Sequence, residues 1–337
     1  MHLETYFNLK PKGISVVIPN YNGSALLNEI LPFVRQALQP TGMPNEIIVV
    51  DDCSTDDSVS LLKKNHSDVI LIESGVNSGF SPTINKGIFA SKYEYLLLLN
   101  NDVKLDVDYF KYLLKYFDKP DTFGVMGRIV DWENDQIQDG GKYPEFHGAK
   151  IKTSGNYIPA ENENSDNLYS MYLSGANALV SAEKLIELGG FDELFAPFYV
   201  EDFELSLRAW RLGWKCYYEH RAICRHKVSF TIKSENNKNY INRIYYRNKM
   251  FLYAMHLQGI NLFMWYLQLF PELILRLVTG RLYFIQALSD FFTSRKKINK
   301  SMLAFEKVSR AEGKLLTLQE VVTKVRESLA EKNIKRF

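Results

Sequence analysis

The sequence predicts an α/β fold with a doubly wound, mixed but mainly parallel sheet, followed by a helical C-terminal extension. A run of four leucines at 96–99 is apolar enough for a strand buried on both faces, which is typical of the centre of a parallel sheet. β-Branched runs at 14–18 and 46–50 each end in turn residues and are followed by a helical pattern. Alternation of this kind indicates strands that are linked by helices rather than by hairpins.

The segments between these strands supply the predicted helices. An amphipathic helix is expected from about Ser24 to Leu38, after the turn at 19–23. A short strand at 69–72 precedes the turn at 77–80, which begins a helix that leads to the leucine strand. This repeated order predicts a sheet with helices on both of its faces.

Polar residues follow the leucine strand directly, in the order Asn100, Asn101 and Asp102. Open α/β sheets bind their ligands outside the carboxyl ends of the strands. We therefore expect Asp102 to be held rigidly at the mouth of a crevice.

The turn after the first strand excludes a dinucleotide fingerprint, because that motif needs Gly-x-Gly-x-x-Gly and residues 19–23 contain a single glycine. The turn contains Tyr21, whose ring can lie against a nucleotide base. Asp52 follows the second strand and can accept a hydrogen bond from a base or from a ribose hydroxyl. The pair favours a mononucleotide in the crevice, while Tyr21 as a turn aromatic and Asp52 as a helix cap are equally compatible with the sequence.

Charge is distributed unevenly over the 337 residues, whose net charge is only +2. Residues 243–337 hold 17 Lys/Arg against 7 Asp/Glu, whereas the rest of the chain is net acidic. A basic end of this kind indicates contact with an anionic surface.

Cys53, Cys216 and Cys224 form no Cys-x-x-Cys pair, which argues against a disulfide framework or a zinc site and favours a reducing compartment. Residues 1–12 lack the apolar core of a secretory signal.

Five motifs, taken in order, resemble the inverting family 2 glycosyltransferases of the GT-A fold, whose sheet is Rossmann-like. The motifs are VVIPNYNG, VVDDCSTDDS, NSGF, LLNNDV and GGFDE…YVEDFEL. The resemblance covers residues 14–247 and is nearest to the bacterial rhamnosyltransferase-like branch. It implies an enzyme that transfers a sugar, with inversion, from a UDP- or dTDP-sugar to a cell-surface polysaccharide or a lipid-linked saccharide.

The resemblance also implies which residues bind the donor. A nucleotide-sugar site is expected from Pro19, Tyr21, Asn22, Asp52, Asn77, Gly79, Asn85 and Asn101. The family's metal motif is Asp-x-Asp, and here only the last carboxylate, Asp102, is kept. Mg²⁺ or Mn²⁺ can be bound through one carboxylate together with phosphate oxygens and water, so Asp102 can still be a metal ligand. The resemblance implies His226 as the second expected ligand. The alternative for His226 is a surface residue at the end of a basic strand.

A second group of residues is expected on the acceptor side. The resemblance identifies Asp202 as the base that deprotonates the acceptor hydroxyl, with Glu201 and Gly175 binding the acceptor. The alternative for the acidic residues at 201–204 is a helix N-terminus, where a carboxylate favours the macrodipole by about 0.3–1 kcal/mol. We adopt that explanation for Glu204 alone.

The catalytic domain is expected to cover residues 1–240, with a nucleotide-sugar half to about residue 127 and an acceptor half from about residue 128. The polar loops at 129–167 are expected to shape the acceptor side. Residues 241–337 form the expected helical region, which is amphipathic and is continued by a charged helix from residue 301 onward.

Residues 259–280 are long enough to span a bilayer, but Gln268, Glu272 and Arg276 recur every four residues. A polar stripe on an otherwise apolar helix fits an interfacial helix in the membrane plane better. The basic cluster at 295–297 would then contact anionic headgroups. Helices packed on the catalytic domain, or on a second copy of the chain in a homo-oligomer, are the alternative.

Together these features predict a cytoplasmic enzyme, peripheral on the inner face of the cell membrane, with a divalent cation as cofactor and no nucleic-acid partner. A non-catalytic nucleotide-sugar-binding protein is the first alternative, because the metal motif lacks one Asp. A nucleotidyltransferase is the second, but it would need a basic Gly-rich loop for a triphosphate, which the turn at 19–23 does not contain.

Overall fold

The chain folds around a large mixed sheet with helices on both faces. The computed structural model describes residues 10–152, 155–160, 166–227 and 237–337. The expectations for residues 1–9, and for residues 153–154 and 161–165 of the polar loops, lie outside these ranges.

The strands and helices follow the predicted alternation through the first hundred residues. In chain order, the strands are β1 (Ile14–Asn20), β2 (Asn45–Asp51), β3 (Ile70–Glu73), β4 (Tyr95–Leu99), β5 (Val103–Leu105), β6 (Thr122–Asp131), β7 (Ile137–Asp139), β8 (Gly141–Lys142), β9 (Glu145–His147), β10 (Lys150–Lys152), β11 (Asn156–Pro159), β12 (Leu168–Tyr169), β13 (Asn177–Ser181), β14 (Lys215–His226) and β15 (Ile334–Arg336). The helices are α1 (Ser24–Leu38), α2 (Ser58–Asn65), α3 (Phe80–Ala90), α4 (Tyr109–Leu113), α5 (Ala182–Glu187), α6 (Glu201–Arg211), α7 (Lys238–His256), α8 (Gly259–Val278), α9 (Tyr283–Thr293), α10 (Arg295–Glu312) and α11 (Leu318–Ala330).

The main sheet has the order β12-β14-β6-β13-β4-β1-β2-β3, with β5 beside β14 and β7 beside β6. Strands β4, β1, β2 and β3 are parallel neighbours, whereas β13 runs antiparallel between β4 and β6. Outside it lie the β9–β10 hairpin and a three-stranded sheet of order β15-β11-β8. The predicted fold class, a mixed and mainly parallel sheet with a helical C-terminal region, is confirmed.

The leucine strand β4 lies near the centre of the sheet with every side chain buried, as predicted. Leu96 and Leu98 pack in one hydrophobic cluster with Ile84 of α3. Leu97 and Leu99 pack in a second cluster with residues of α1. The two clusters lie on opposite faces because successive side chains of a strand point to opposite sides. The polar residues that follow β4 are therefore held at the carboxyl edge of a strand fixed from both sides.

The C-terminal helices share a hydrophobic cluster with the sheet. This cluster contains Val17 of β1, Trp265 of α8 and Val325 of α11. The division at residue 240 into a catalytic domain and a helical region stays a prediction. In the described ranges, no helix combines the length and the apolar character that crossing a membrane requires.

Helix α8 turns its polar stripe toward the protein and most of its apolar residues outward, while Trp265 and Leu269 are buried. Glu272 forms an ion pair with Lys150, and Arg276 donates a hydrogen bond to the hydroxyl of Tyr246 at 2.9 Å. Phe270 is 69% exposed. The other exposed apolar residues of this helix include Ile260, Phe263, Leu267, Ile274, Leu275 and Val278. A surface helix normally buries most of its apolar residues, whereas α8 exposes most of them.

The end of the chain differs from its prediction. The helical expectation from residue 301 onward holds for most of α10 and for α11 but is wrong for residues 334–336, which form β15. This strand pairs antiparallel with β11, and Phe337 and Asn156 exchange two backbone hydrogen bonds of 3.0 and 3.2 Å. The reason is tertiary: the edge of β11 offers backbone partners that a helical turn at this place would leave unpaired.

Candidate active site

Three parallel strands are tied together at their carboxyl ends. The side-chain amide of Asn20, at the end of β1, donates to Asp51 of β2 at 2.9 Å. It accepts from the amide of Asn101, just after β4, at 2.8 Å. A Cβ atom at Gly23 would overlap both amides, so the close approach of the first turn requires glycine.

Asp52 is buried beside the start of α3. Its carboxylate accepts from the backbone N–H groups of Ser78 and Gly79 at 2.9–3.0 Å. Gly79 has a φ of +85°, and a Cβ atom there would overlap Pro197. Asp52 therefore fixes the turn before α3 without capping the first turn of that helix, while its contact with a nucleotide stays a prediction.

The other residues predicted for the donor site lie in turns around this edge. Pro19 and Tyr21 are partly buried, and Asn77 is exposed. The side chain of Asn22 accepts from the backbone N–H of Thr55 at 2.8 Å, which links the first turn to the turn after β2.

Asn85 is bonded within the protein. Its buried amide donates to the carbonyl of Phe191 and accepts from the N–H of the same residue, both at 2.9 Å. These two bonds fasten α3 to the loop that follows α5. A contact of Asn85 with the donor stays a prediction.

The two predicted metal ligands meet because β5 pairs with the end of β14. His226 lies opposite Val103 in this pairing, and its Nε2 atom is 3.4 Å from Oδ2 of Asp102. Its Nδ1 atom is 3.3 Å from Oε1 of Gln138. A proton on Nδ1 would serve that contact and would leave the lone pair of Nε2 directed at Asp102.

This pair fits a divalent cation. Oδ1 of Asp102 is buried and has no hydrogen-bond partner among the residues that the structure describes, which is costly for a carboxylate oxygen unless a ligand satisfies it. Within the described part of the chain, no group of three or more His, Cys, Asp or Glu side chains could hold a metal alone. A cation here would take further oxygen ligands from phosphate or water, as hard cations commonly do.

A cleft of about 1110 Å³ opens beside this pair. Of the predicted site residues, Gly175, Glu201, Asp202 and His226 line it, so the acceptor residues and one metal ligand share one space. Part of its wall is aromatic and consists of Phe80, Tyr172, Phe198, Tyr199 and Phe337. Clefts that combine aromatic walls with a few polar groups are typical of ligand sites. The residues predicted for nucleotide binding are placed at the carboxyl edge, outside this lining.

Glu201 and Asp202 are the first two residues of α6, and both have raised pKa values. Burial raises the pKa of Glu201 to about 8, and the neighbouring charge of Asp202 adds to the shift. Burial also raises the pKa of Asp202, while the N–H of Phe203 at 2.7 Å and the charge of Lys142 act in the opposite direction. A pKa near 8 favours the protonated form of Glu201 at neutral pH. The N–H of Phe203 and the charge of Lys142 favour the ionised form of Asp202, against the effect of its burial.

Lys142 lines the same cleft and was missed by the sequence prediction. Its side chain is buried, pairs with Asp139 and donates to Asn156 at 3.1 Å. Its place depends on the pairing of β8 with β11, two strands of only two and four residues. Gln138 was missed for the same reason, since it lies on a three-residue strand.

Glu204 lies in the core. It is fully buried, accepts from Nε of Arg208 at 2.9 and 3.0 Å, and lies 3.3 Å from Nε2 of His256. Burial alone would raise the pKa of Glu204, but Arg208 and His256 hold it below its usual value. The helix-dipole explanation adopted for Glu204 is incomplete, because this carboxylate is one partner of a buried ion pair.

Known proteins with similar sequences are glycosyltransferases. The model of the family described as Glycosyl transferase family 2 matches residues 15–189. A poly-beta-1,6-N-acetyl-D-glucosamine synthase of Staphylococcus epidermidis is 28% identical over 237 residues, which cover 66% of this chain and 51% of the relative. The O-antigen chain rhamnosyltransferase RfbN of Salmonella typhimurium is 24% identical over 226 residues, which cover 66% of this chain and 68% of the relative. The chain thus spans about half the length of the synthase that it matches.

Solved structures share the fold. GalNAc-T7 with UDP, GalNAc and Mn²⁺ has a TM-score of 0.64 at 15% identity, over 96% of this chain and 58% of that one. The mannosyltransferase PcManGT of Pyrobaculum calidifontis with GDP-Man and Mn²⁺ has a TM-score of 0.52 at 14% identity, over 97% and 89% of the two chains. S. aureus TarS 1–349 with UDP-GlcNAc has a TM-score of 0.51 at 15% identity, over 94% and 92%.

At these identities the structural likeness concerns the fold, which is the GT-A type that the motifs implied. The family match covers more than half of the chain and contains the first four of the five motifs. The relatives include an O-antigen chain rhamnosyltransferase, the kind of enzyme that the motifs resemble. This chain therefore belongs to glycosyl transferase family 2.

Proposed function

We propose that this enzyme transfers one sugar, with inversion, from a UDP- or dTDP-sugar to the acceptor saccharide of a cell-surface polysaccharide or of a lipid-linked intermediate. The observation that carries the proposal is the cleft in which Asp202 and Gly175 lie together with His226, the partner of Asp102. Relatives named for polysaccharide synthesis and for O-antigen chains support the acceptor class. Structural neighbours that hold UDP-GlcNAc or GDP-Man support a nucleotide-sugar donor.

In the proposed reaction, the carboxylate of Asp202 takes the proton of the acceptor hydroxyl while that oxygen attacks the anomeric carbon of the donor. The bond between the anomeric carbon and the phosphate oxygen breaks on the opposite side, and the nucleoside diphosphate leaves with the bonding electrons. The configuration inverts, and a single base facing the leaving group is sufficient. Glu201 keeps its proton and is available to donate a hydrogen bond to the acceptor.

Asp102 and His226 are the proposed ligands of Mg²⁺ or Mn²⁺, which would offset the charge that develops on the departing diphosphate. The buried, unpartnered Oδ1 atom of Asp102 supports this assignment. The Mn²⁺ ions present in two of the structural neighbours support a divalent cation in this fold. Gln138 would hold His226 in the tautomer that presents Nε2 to the cation.

Replacing Asp102 with Ala is expected to weaken metal-dependent nucleotide binding at least about tenfold, because the variant loses the carboxylate ligand. Calorimetric titration measures the affinity of the wild type and of the Asp102→Ala variant for UDP, dTDP and GDP. Each nucleotide is titrated with Mn²⁺, with Mg²⁺ and with a chelator. The control is Asp106→Ala, which removes a nearby carboxylate that contacts Arg225 at 3.9 Å instead of His226. No binding of any nucleotide by the wild type would contradict the proposed function, and binding without turnover of any sugar donor would leave a nucleotide-sugar binder.

We also propose that the outer face of α8 contacts the anionic lipids on the inner face of the cell membrane. This face consists of Ile260, Phe263, Leu267, Phe270, Ile274 and Val278. Glu272 and Arg276 of this helix are paired with the protein, and the exposed face of the helix is apolar. An apolar patch of this extent marks an interaction surface. The excess of basic residues in 243–337 favours an anionic lipid surface as the partner over a second copy of the same basic region.

The double variant Phe263→Ser/Phe270→Ser is expected to lose most of its binding to vesicles that contain anionic lipid. Each buried phenylalanine contributes about 1.5–3 kcal/mol, so the partition coefficient should fall roughly 100-fold or more. Vesicle sedimentation measures it, with Phe89→Ser on α3, 54% exposed, as the control. If the wild type does not bind vesicles and is oligomeric, and the double variant is monomeric, the exposed face of α8 is a homo-oligomer interface instead.

A further inference from the structure

Two consecutive residues before α6 have an uncommon backbone conformation. Tyr199 and Val200 have φ values of +74° and +76°, in the left-handed region that side chains, and β-branched ones above all, normally avoid. They lead directly into Glu201 and Asp202. The direction in which α6 begins therefore depends on the contacts that hold this strained turn.

The contacts come from α7. Asn248 is fully buried, and its amide nitrogen lies 2.6, 3.0 and 2.8 Å from the carbonyl oxygens of Phe195, Phe198 and Tyr199. A primary amide has two hydrogens, so the three carbonyls share them. One side chain thus holds the loop both at its start and at the strained turn.

The neighbouring Arg247 fixes the orientation of that amide. Its Nε and Nη2 atoms donate to Oδ1 of Asn248 at 3.0 and 2.8 Å, and Nη2 also donates to the carbonyl of Ala196 at 2.5 Å. Because the guanidinium of Arg247 donates to Oδ1, the amide nitrogen of Asn248 must face the loop carbonyls. An aspartate of the same size would place a second oxygen against three carbonyl oxygens, so the site requires a donor.

We propose that Asn248 is a positioning residue for the general base: by holding the turn at Tyr199 and Val200, it sets the place of Asp202 in the cleft. The proposal rests on the proposed function, in which Asp202 takes the acceptor proton. Through Asn248, helix α7 would therefore help to position Asp202 in the cleft.

Asn248→Ala and Asn248→Asp are expected to lower kcat by about ten- to a hundredfold, because small displacements of a reacting group have effects of this size. The affinity for UDP with Mn²⁺ should change less than about twofold: Gly79 lies against Pro197 of this loop, but Asp52 also holds Gly79, by accepting from its N–H at 2.9 Å. Asn239→Ala, which alters an exposed asparagine of the same helix, is the control.

A double-mutant cycle separates positioning of the base from general stabilisation. In the Asp202→Asn background, Asn248→Ala should change kcat less than about twofold, because the base through which it acts has already been removed. An equal loss in both backgrounds, or a parallel loss of nucleotide affinity, would overturn the proposal. If Asn248→Ala does not fold, Arg247→Gln enters the same cycle and should show the same dependence on Asp202. A wild type that releases no nucleotide from any sugar donor would instead contradict the proposed function itself.

Discussion

Replacing Asp202 with Asn is expected to lower kcat by about 10²–10⁴-fold and to leave nucleotide affinity within about twofold of the wild type. The amide keeps the size of the side chain and can still accept from the N–H of Phe203, but it cannot take the proton of the acceptor hydroxyl. Steady-state kinetics with a sugar donor give kcat, and titration with UDP and Mn²⁺ gives the affinity. A variant with nearly full activity would reduce Asp202 to a helix-capping residue.

The pH profile of the wild type offers a second measurement on the same residue. Burial raises the pKa of Asp202, and the reaction needs its ionised form. On lowering the pH, kcat should therefore fall at a higher pH than an ordinary aspartate, with a pKa of about 3.9, would produce.

The control for both measurements is Asp131→Asn, which alters a carboxylate of the same cleft. The oxygens of Asp131 are held by the N–H of Glu133 and by the amide of Gln138, both at 3.0 Å. We expect its effect on kcat to stay below about tenfold. Equal losses at Asp131 and Asp202 would indicate that the cleft responds to its total charge rather than to one base.

Glu204→Ala is expected to lower the free energy of unfolding by about 3–5 kcal/mol, which is typical of breaking a buried ion pair from one side. Arg208 would then stay charged and buried, although it also donates to the carbonyls of Leu188 and Gly190 at 2.7 and 2.9 Å. Denaturation in urea, followed by circular dichroism, measures the change. A loss below about 1 kcal/mol would show that the pair is solvated and behaves as a surface salt bridge.

The chain contains a matched control for this experiment. Glu306 and Arg310 have the same four-residue spacing on α10, but their side chains are 49% and 77% exposed. Glu306→Ala is expected to cost only about 0.3–0.5 kcal/mol. The comparison isolates the effect of burial, because the residue types and their order along the helix are the same.

The same carboxylate should make stability depend on pH. Arg208 and His256 hold the pKa of Glu204 in the folded chain below its usual value, even though burial acts in the opposite direction. Its contribution is therefore complete above the unfolded pKa of about 4.3 and is lost as the pH falls through the lower folded pKa. Glu204→Gln should remove this part of the acid sensitivity.

The sequence was sufficient where a local pattern determines the structure. The leucine run predicted a strand buried on both faces, and the turn at 19–23 predicted the start of α1 at Ser24. The motifs at the ends of β2 and β4 predicted which polar residues lie at the carboxyl edge. Each of these features depends on residues that are close together in the chain.

Features that depend on distant partners could not be predicted. Glu204 resembled a helix N-terminal acid because its partner His256 lies 52 residues away on α7. Lys142 and Gln138 lie on short polar strands that are recognisable only from their pairing. The polar stripe of α8 was identified correctly, but its inward direction depends on Lys150 of the hairpin.

The pairing of β15 with β11 has a consequence for biosynthesis. It joins residues that are separated by more than half of the chain, such as Tyr157 and Arg336. Ribosomal synthesis is directional, so β11 emerges with its edge open and stays so until the C-terminal helices have been made. An unpaired edge strand invites pairing with other chains, and slow elongation between these two segments should therefore increase the demand for chaperones on the nascent enzyme.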